Sequence, residues 1–354
     1  MKKNWWKGLA VIILLSVFLL GLLVPLNPGI TSVQPFSIKT GERHTLTITG
    51  YNTFFSKANE INIWFKLDEQ HAHKVESIEI ISDNQISINV DIPEQLPVPS
   101  KVADVNLVIS SDIDGSFVRP SALAIRQDIE PGDREESRLF WSSEIKDLAN
   151  LSAYRFPFRN ILSETIRNTY FHIPMWFGMI LIFLAAFILS LKYLKKPDHD
   201  LDQKITSLIS VGVLFGVLGL LTGAVWARYT WGEFWSGDIK QNMSLIALLI
   251  YSAYFVLRSS MKDNERRGRV SAAYSIFAFV TLIPLLFIIP RLQDSLHPGS
   301  GGNPALGGED LDNTMRMIFY PAIIGWTLLG VWMAEIRYRI LRLEWKQMEN
   351  EMNG

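Results

Sequence analysis

Apolar residues run without a charge from Gly8 to Val24, and the run stops at Pro25, Asn27 and Pro28. Five more apolar runs follow, at about 173–191, 205–226, 243–257, 270–289 and 317–334. Runs of this kind suit helices that cross a bilayer, the shorter ones with slight thinning. Basic residues cluster beside them: Lys2, Lys3 and Lys7; Lys192, Lys195 and Lys196; Arg258, Lys262, Arg266, Arg267 and Arg269; Arg337, Arg339, Arg342 and Lys346. Six spans put all four clusters on one face, which the positive-inside rule makes cytoplasmic. Both termini are then cytoplasmic, while 28–171, 228–240 and 291–316 face the other side. A signal peptide shares the layout of the first run. No A-x-A-type cleavage site follows it, so a retained first span is expected.

Between the first and second spans the period changes. Alternation appears at 44–49, 60–66, 75–81, 85–90, 103–110 and 116–125, with turn residues at 50–52, 83–84 and 112–115. Short strands at this spacing predict an antiparallel β-sandwich. The opening of this region carries Pro28, Pro35, Gly41, Ile48, Gly50 and Asn52, with Pro93 later. These positions resemble the start of an IPT/TIG immunoglobulin-like domain, which implies a binding or spacer module rather than a catalyst. A polar connector follows. Within it Ile161, Leu162, Ile166 and Tyr170 alternate with Arg159, Glu164 and Arg167, as in a short helix lying on a membrane surface. The expected fold is therefore an all-α membrane domain of six transmembrane helices. An all-β immunoglobulin-like sandwich is inserted between the first and second. The expected segments are 1–27 (first span), 28–125 (sandwich), 126–171 (connector), 172–340 (five-helix domain) and 341–354 (tail).

Composition agrees with spans plus one sizeable soluble part: 48% of the 354 residues are hydrophobic and 11 are Trp. The formal net charge of −1 offers no global field for nucleic acid. There are no cysteines, which excludes disulfides, thiolate metal sites and thioether attachment to this chain.

The densest chemistry lies at 221–241, after the third span. It holds Trp226, Tyr229, Trp231, Phe234, Trp235 and Asp238. Of six histidines, His44, His71, His73 and His199 read as solvated surface residues, with His71 and His73 at most a weak metal pair. His172 and His297 differ, because the topology puts both on the face that carries the aromatic segment. Neutral imidazole is a strong haem-iron ligand. Two of them would give a six-coordinate iron, with Trp226, Trp231, Phe234 and Trp235 as walls. Arg228, Lys240, Arg291 and Arg316 lie on the same face for the two propionates. The alternative is that these are interface residues, since Trp, Tyr and His gather at membrane boundaries anyway.

Residues 172–340 resemble the CcmC branch of the CcmC/CcsA haem-handling membrane proteins. Thr222, Gly223, Trp226, Trp231, Gly232, Trp235 and Asp238 match the family's tryptophan-rich (WWD) signature. His172-Ile173-Pro174, Leu296-His297-Pro298-Gly299 and Asp312-Asn313-Thr314-Met315-Arg316 match three further motifs in order. Phe234 replaces a family Trp and keeps a stacking face. Gly237 replaces another Trp and removes a wall. Lys240 replaces an Arg and loses a bidentate fork.

The resemblance implies a protein of the inner membrane that presents non-covalent haem b on the periplasmic side during c-type cytochrome maturation. His172 and His297 would be the axial ligands. Trp226, Trp231, Phe234 and Trp235 would form the platform, and Asp238 would orient the segment or meet a partner. Arg228, Lys240 and Arg316 would pair with the propionates. The implied partners are the haem chaperone CcmE, the ABC transporter subunits CcmA and CcmB, and small CcmD. No nucleophile or acid–base pair is evident, so a ligand-presenting protein is expected rather than an enzyme. Two alternatives stay open: a CcsA-type synthase that attaches haem directly, and a membrane-anchored binding protein without haem.

Overall fold

A computed structural model of the chain describes residues 4–127, 135–150, 154–297 and 311–353. The chain divides into two compact units, Pro25–Ser163 and a second that joins Met1–Val24 to Glu164–Gly354.

The first unit is built from β1 (Gly29–Gln34), β2 (Ser37–Lys39), β3 (Arg43–Tyr51), β4 (Ile61–Lys66), β5 (Ala72–Lys74), β6 (Ser77–Ser82), β7 (Gln85–Asp91), β8 (Val102–Ser111) and β9 (Gly115–Arg126). They form a four-stranded sheet, β1-β3-β7-β6, and a five-stranded sheet, β2-β9-β8-β4-β5. All pairings are antiparallel except β2 with β9. Alternate residues turn inward, as period two requires. Leu46, Ile48, Ile86, Ile88 and Val90 of one sheet share a core with Ile63, Phe65, Val105, Leu107 and Ile109 of the other. The short helix α2 (Glu135–Phe140) leads into Trp141, which is fully buried in that core. The six alternating runs all became strands; β1, β2 and β5 were not among them.

The histidines of this unit are not simply solvated, contrary to expectation. His73 is half-buried, stacks on Phe140 at 3.7 Å between centroids, and bonds the Phe140 carbonyl at 3.0 Å. Burial lowers its pKa. His71 Nδ1 meets the Asp68 carboxylate at 2.8 Å, and His44 Nε2 meets the Lys39 carbonyl at 2.8 Å. In the other unit His199 is likewise engaged, with Gln203 Nε2 at 2.7 Å and the Trp345 ring at 4.0 Å.

Among the described residues of the second unit, six helices are long and apolar enough to cross a membrane, so the chain is a multi-pass membrane protein. They contain α1 (Trp5–Leu23), α3 (His172–Lys195), α4 (His199–Trp231), α5 (Ile239–Ser259), α6 (Asn264–Ile283) and α7 (Asn313–Asn353). The helix expected at 161–170 is a 3-10 segment, Ser163–Tyr170, with Ile166 and Tyr170 buried and Ile161 exposed. Its Arg167 donates to the Gly21 and Val24 carbonyls at 3.0 and 2.6 Å, satisfying the open end of α1. At the other end of α1, Lys7 pairs with Glu335 of α7 at 2.7 Å.

Helices α3 and α4 approach closely because glycines line the contact. A Cβ on Gly212, Gly219 or Gly223 would run into Phe183, Trp176 or His172 of α3, and one on Gly216 into Leu248 of α5. Small residues permit such approach in a bilayer, where no hydrophobic force drives helices together. Aspartates cap α4 to α7: Asp198 accepts from Asp200 N, Asp238 from Lys240 N, Asp263 from Arg266 N and Asp312 from Met315 N. Helix α7 continues without a break through the segment set apart as a tail at 341–354, as far as Asn353.

Candidate functional site

Helix order brings the start of α3, the end of α4, the start of α5 and the segment after α6 to one end of the bundle. His172 opens α3 and is 8% exposed. Its Nδ1 lies 3.0 Å from Thr222 Oγ1. The Thr222 hydroxyl has one proton, directed back to the Leu218 and Gly219 carbonyls at 2.9 and 3.1 Å. It therefore accepts from His172, so Nδ1 carries the hydrogen and Nε2 keeps its lone pair. Trp176 and Trp226 meet the ring edge-on, at 6.3 and 5.8 Å between centroids. Gly223 presses on it from α4: a Cβ there would stand 2.7 Å from His172 Cε1.

His297 is held differently. Its Nδ1 lies 2.8 Å from Asp238 Oδ1, and the two side chains are 19% and 1% exposed. A carboxylate oxygen only accepts, so again Nδ1–H donates and Nε2 is the free nitrogen. Asp238 also accepts from Lys240 N at 2.8 Å, Leu296 N at 2.7 Å and Ser295 Oγ at 2.9 Å. Burial pushes its carboxyl pKa up, but the His297 ring and the backbone donors outweigh burial and hold it well below the usual carboxylate range. Trp231 stands edge-on to His297, with centroids 4.7 Å apart.

The aromatic segment is not one continuous loop. Helix α4 runs on to Trp231 and ends at Gly232 with φ 89°. Trp226, Arg228, Tyr229 and Trp231 are thus helical. Only 233–237 is loop, and α5 pins it: Gln241 Oε1 accepts from Ser236 N at 3.0 Å, and Asn242 Oδ1 accepts from Trp235 Nε1 at 3.1 Å. The loop displays Phe234 and Trp235, 58% and 39% exposed. Gly237 has φ 73°, so glycine suits the turn into the Asp238 cap better than the family's Trp would.

The four tryptophan-segment aromatics therefore separate. Trp226 serves His172, Trp231 serves His297, and Phe234 and Trp235 face outward. Of the cations, Arg228 donates to the Gly232 carbonyl at its own helix end. Lys240 gives its backbone N–H to Asp238, and Arg316 Nη1 lies 3.5 Å from Asn313 Oδ1. Arg291 ends a 3-10 turn after α6 and is exposed. Pro298 and Gly299 lie outside the described residues. Thr222 and Ser295 carry polar roles that the residue pattern alone did not assign. Thr222 had matched the family signature without being given a task; Ser295 gave no signal beyond its place two residues before His297.

A family model described as cytochrome C assembly protein matches residues 162–297, a stretch that holds both histidines and ends at the second. The heme exporter protein C of Bradyrhizobium diazoefficiens is 28% identical over 183 residues, 50% of this chain and 68% of the relative. The cytochrome c biogenesis protein CcsA of Helianthus annuus is 28% identical over 159 residues, 45% of each. CcsA of Prochlorococcus marinus is 40% identical over 82 residues, 23% of this chain and 26% of the relative.

Residues 162–297 are similar to the cytochrome C assembly family, and the membrane unit resembles proteins named heme exporter protein C and CcsA.

The chain spans less than half the length of these CcsA relatives, and about two thirds of the exporter relative. Within the CcmC/CcsA match lie α3, α4, α5, α6 and both halves of the site. The β unit falls outside it.

Proposed function

We propose that this protein binds haem through His172 and His297 and presents it for cytochrome c maturation. The observation that carries this is the pairing of both imidazoles through Nδ1, one to a hydroxyl and one to a carboxylate. Each ring keeps an Nε2 lone pair, and metal-ligating histidines are oriented in this way. Among the described residues no group of three or more His, Asp or Glu side chains is arranged for a bare metal ion. Two nitrogen donors suit an iron whose other four positions are filled by a macrocycle. Exposed Phe234 and Trp235 suit the apolar faces and edges of such a ring.

In this reading haem is non-covalent cargo, a haem b. Its bound iron supplies a Lewis-acidic centre with two axial positions. The protein's residues orient, shield and release it, and the chain is a presenter rather than an enzyme. The site faces the periplasm, with both termini cytoplasmic and the chain in the inner membrane, as the basic clusters suggest. The recipient is the chaperone CcmE, with CcmA, CcmB and CcmD as further partners. Trp226, Trp231, Phe234, Trp235 and Asp238 shape the site; Arg228, Lys240 and Arg316 are the propionate partners. The two-sheet unit is an immunoglobulin-like sandwich of IPT/TIG type. The local likeness to CcsA supports a second reading, in which haem passes directly to an apocytochrome.

The test is a visible spectrum of the purified chain from haem-replete cells. A low-spin Soret and α/β pattern, lost in the His172→Ala, His297→Ala double variant, supports the reading. A colourless protein contradicts it. Covalent transfer to a chaperone or to a Cys-x-x-Cys-His apocytochrome separates the two roles.

A further inference from the structure

We propose that Asp238 is a positioning residue that makes His297 the stronger donor of an unequal pair of haem ligands. The proposal rests on the haem role given to the two histidines. His172 is backed by a neutral hydroxyl, Thr222 Oγ1 at 3.0 Å, and is fixed by helix packing against Gly223 and two tryptophans. His297 lies in the segment after α6 and meets Trp231 of α4 edge-on, with centroids 4.7 Å apart. It is placed by Asp238 Oδ1 at 2.8 Å, and the same carboxylate fixes the preceding residues through Leu296 N at 2.7 Å and Ser295 Oγ at 2.9 Å. Ser295 Oγ in turn accepts from His297 N at 3.2 Å, closing a small ring of bonds around the histidine.

A charged acceptor behind Nδ1–H draws that proton and raises electron density at Nε2. A hydroxyl does this far less, because charge-assisted hydrogen bonds are about twice as strong as neutral ones. The carboxylate is 1% exposed, so water does not screen it. Asp238 cannot move freely either, since it also caps α5 through Lys240 N at 2.8 Å. One residue thus couples the helix α5 start to the ligand that follows α6. The two iron ligands differ in donor strength and in what holds them.

The experiment compares full-length wild type with Asp238→Asn, Asp238→Ala and Thr222→Val in detergent, each titrated with iron protoporphyrin IX. Asparagine keeps the helix cap and an acceptor for Nδ1–H but removes the charge. In Asp238→Asn the low-spin spectrum persists and the reduction potential shifts positive. In Asp238→Ala haem affinity falls about 10–100-fold, the scale for losing a ligand's hydrogen-bond partner, and one axial ligand is lost from the spectrum. Thr222→Val shifts the potential less than Asp238→Asn. Circular dichroism confirms folding of each variant. An unshifted potential in Asp238→Asn, or an equal or larger shift in Thr222→Val, overturns the proposal. Colourless wild type would instead remove the haem reading beneath it.

Discussion

Gly223 leaves the His172 ring only the room of a hydrogen atom on its α4 side, because a Cβ would stand 2.7 Å from Cε1. At an ordinary helix position Gly→Ala stabilises by roughly 1 kcal/mol. Here the same change pushes the His172 ring aside. Gly223→Ala is expected to keep its helical circular dichroism and lose haem affinity in a titration; unchanged affinity would show that the contact does not matter. Asp114 offers a test that is independent of haem. It is 2% exposed and accepts from Phe54 N with both oxygens, at 3.1 and 3.0 Å. Burial raises its pKa, and the bonds from Phe54 and the charge of Arg155 only partly oppose this. A raised carboxyl favours the protonated fold, so its penalty is absent below the unfolded pKa of about 4 and grows as pH rises through the folded value. Asp114→Asn should therefore raise the melting temperature at neutral pH, with the gain vanishing on acidification.

Among the elements, α4 and α5 are tied by a bidentate pair, Arg258 Nη1 to Asp202 Oδ1 at 2.7 Å and Nη2 to Oδ2. Asp202 is 5% exposed. Removing one partner of a buried pair costs about 3–5 kcal/mol, whereas replacing both with apolar groups is often neutral. Arg258→Met should thus lower unfolding stability in detergent sharply, and Asp202→Leu with Arg258→Met should recover most of it. The six spans were legible because an uncharged apolar run of about twenty residues matches the thickness of a bilayer and little else. The end of α4 was not: aromatics that suit a loop at an interface also suit a last helical turn, and tertiary contacts of Trp226 with Thr165 and His172 decide it. Strands β1, β2 and β5 were hidden for another reason. β2 and β5 have three residues each, β1 breaks its alternation at a bulge between Ile30 and Ser32, and pairing to β3, β9 and β4 defines them.

At the scale of the molecule, the β unit owns a closed core that includes Phe55 and Trp141 at 0% exposure. Residues 25–163 expressed alone should melt cooperatively; a non-cooperative melt would mean that the core is incomplete without the membrane unit. The two histidines were legible as isolated residues on one face, and so was Asp238 as part of a signature. Their partners were not, because Thr222 and Ser295 become meaningful only when α3 meets α4 and when the segment after α6 meets Asp238. The central claim is that His172 and His297 together hold one haem. The direct measurement is the electron paramagnetic resonance spectrum of the purified, haem-loaded chain, beside the single variants His172→Ala and His297→Ala. Two neutral-imidazole-type ligands predict a low-spin ferric signal in the wild type that each single variant converts to high spin. A wild-type signal that survives either substitution would contradict the account.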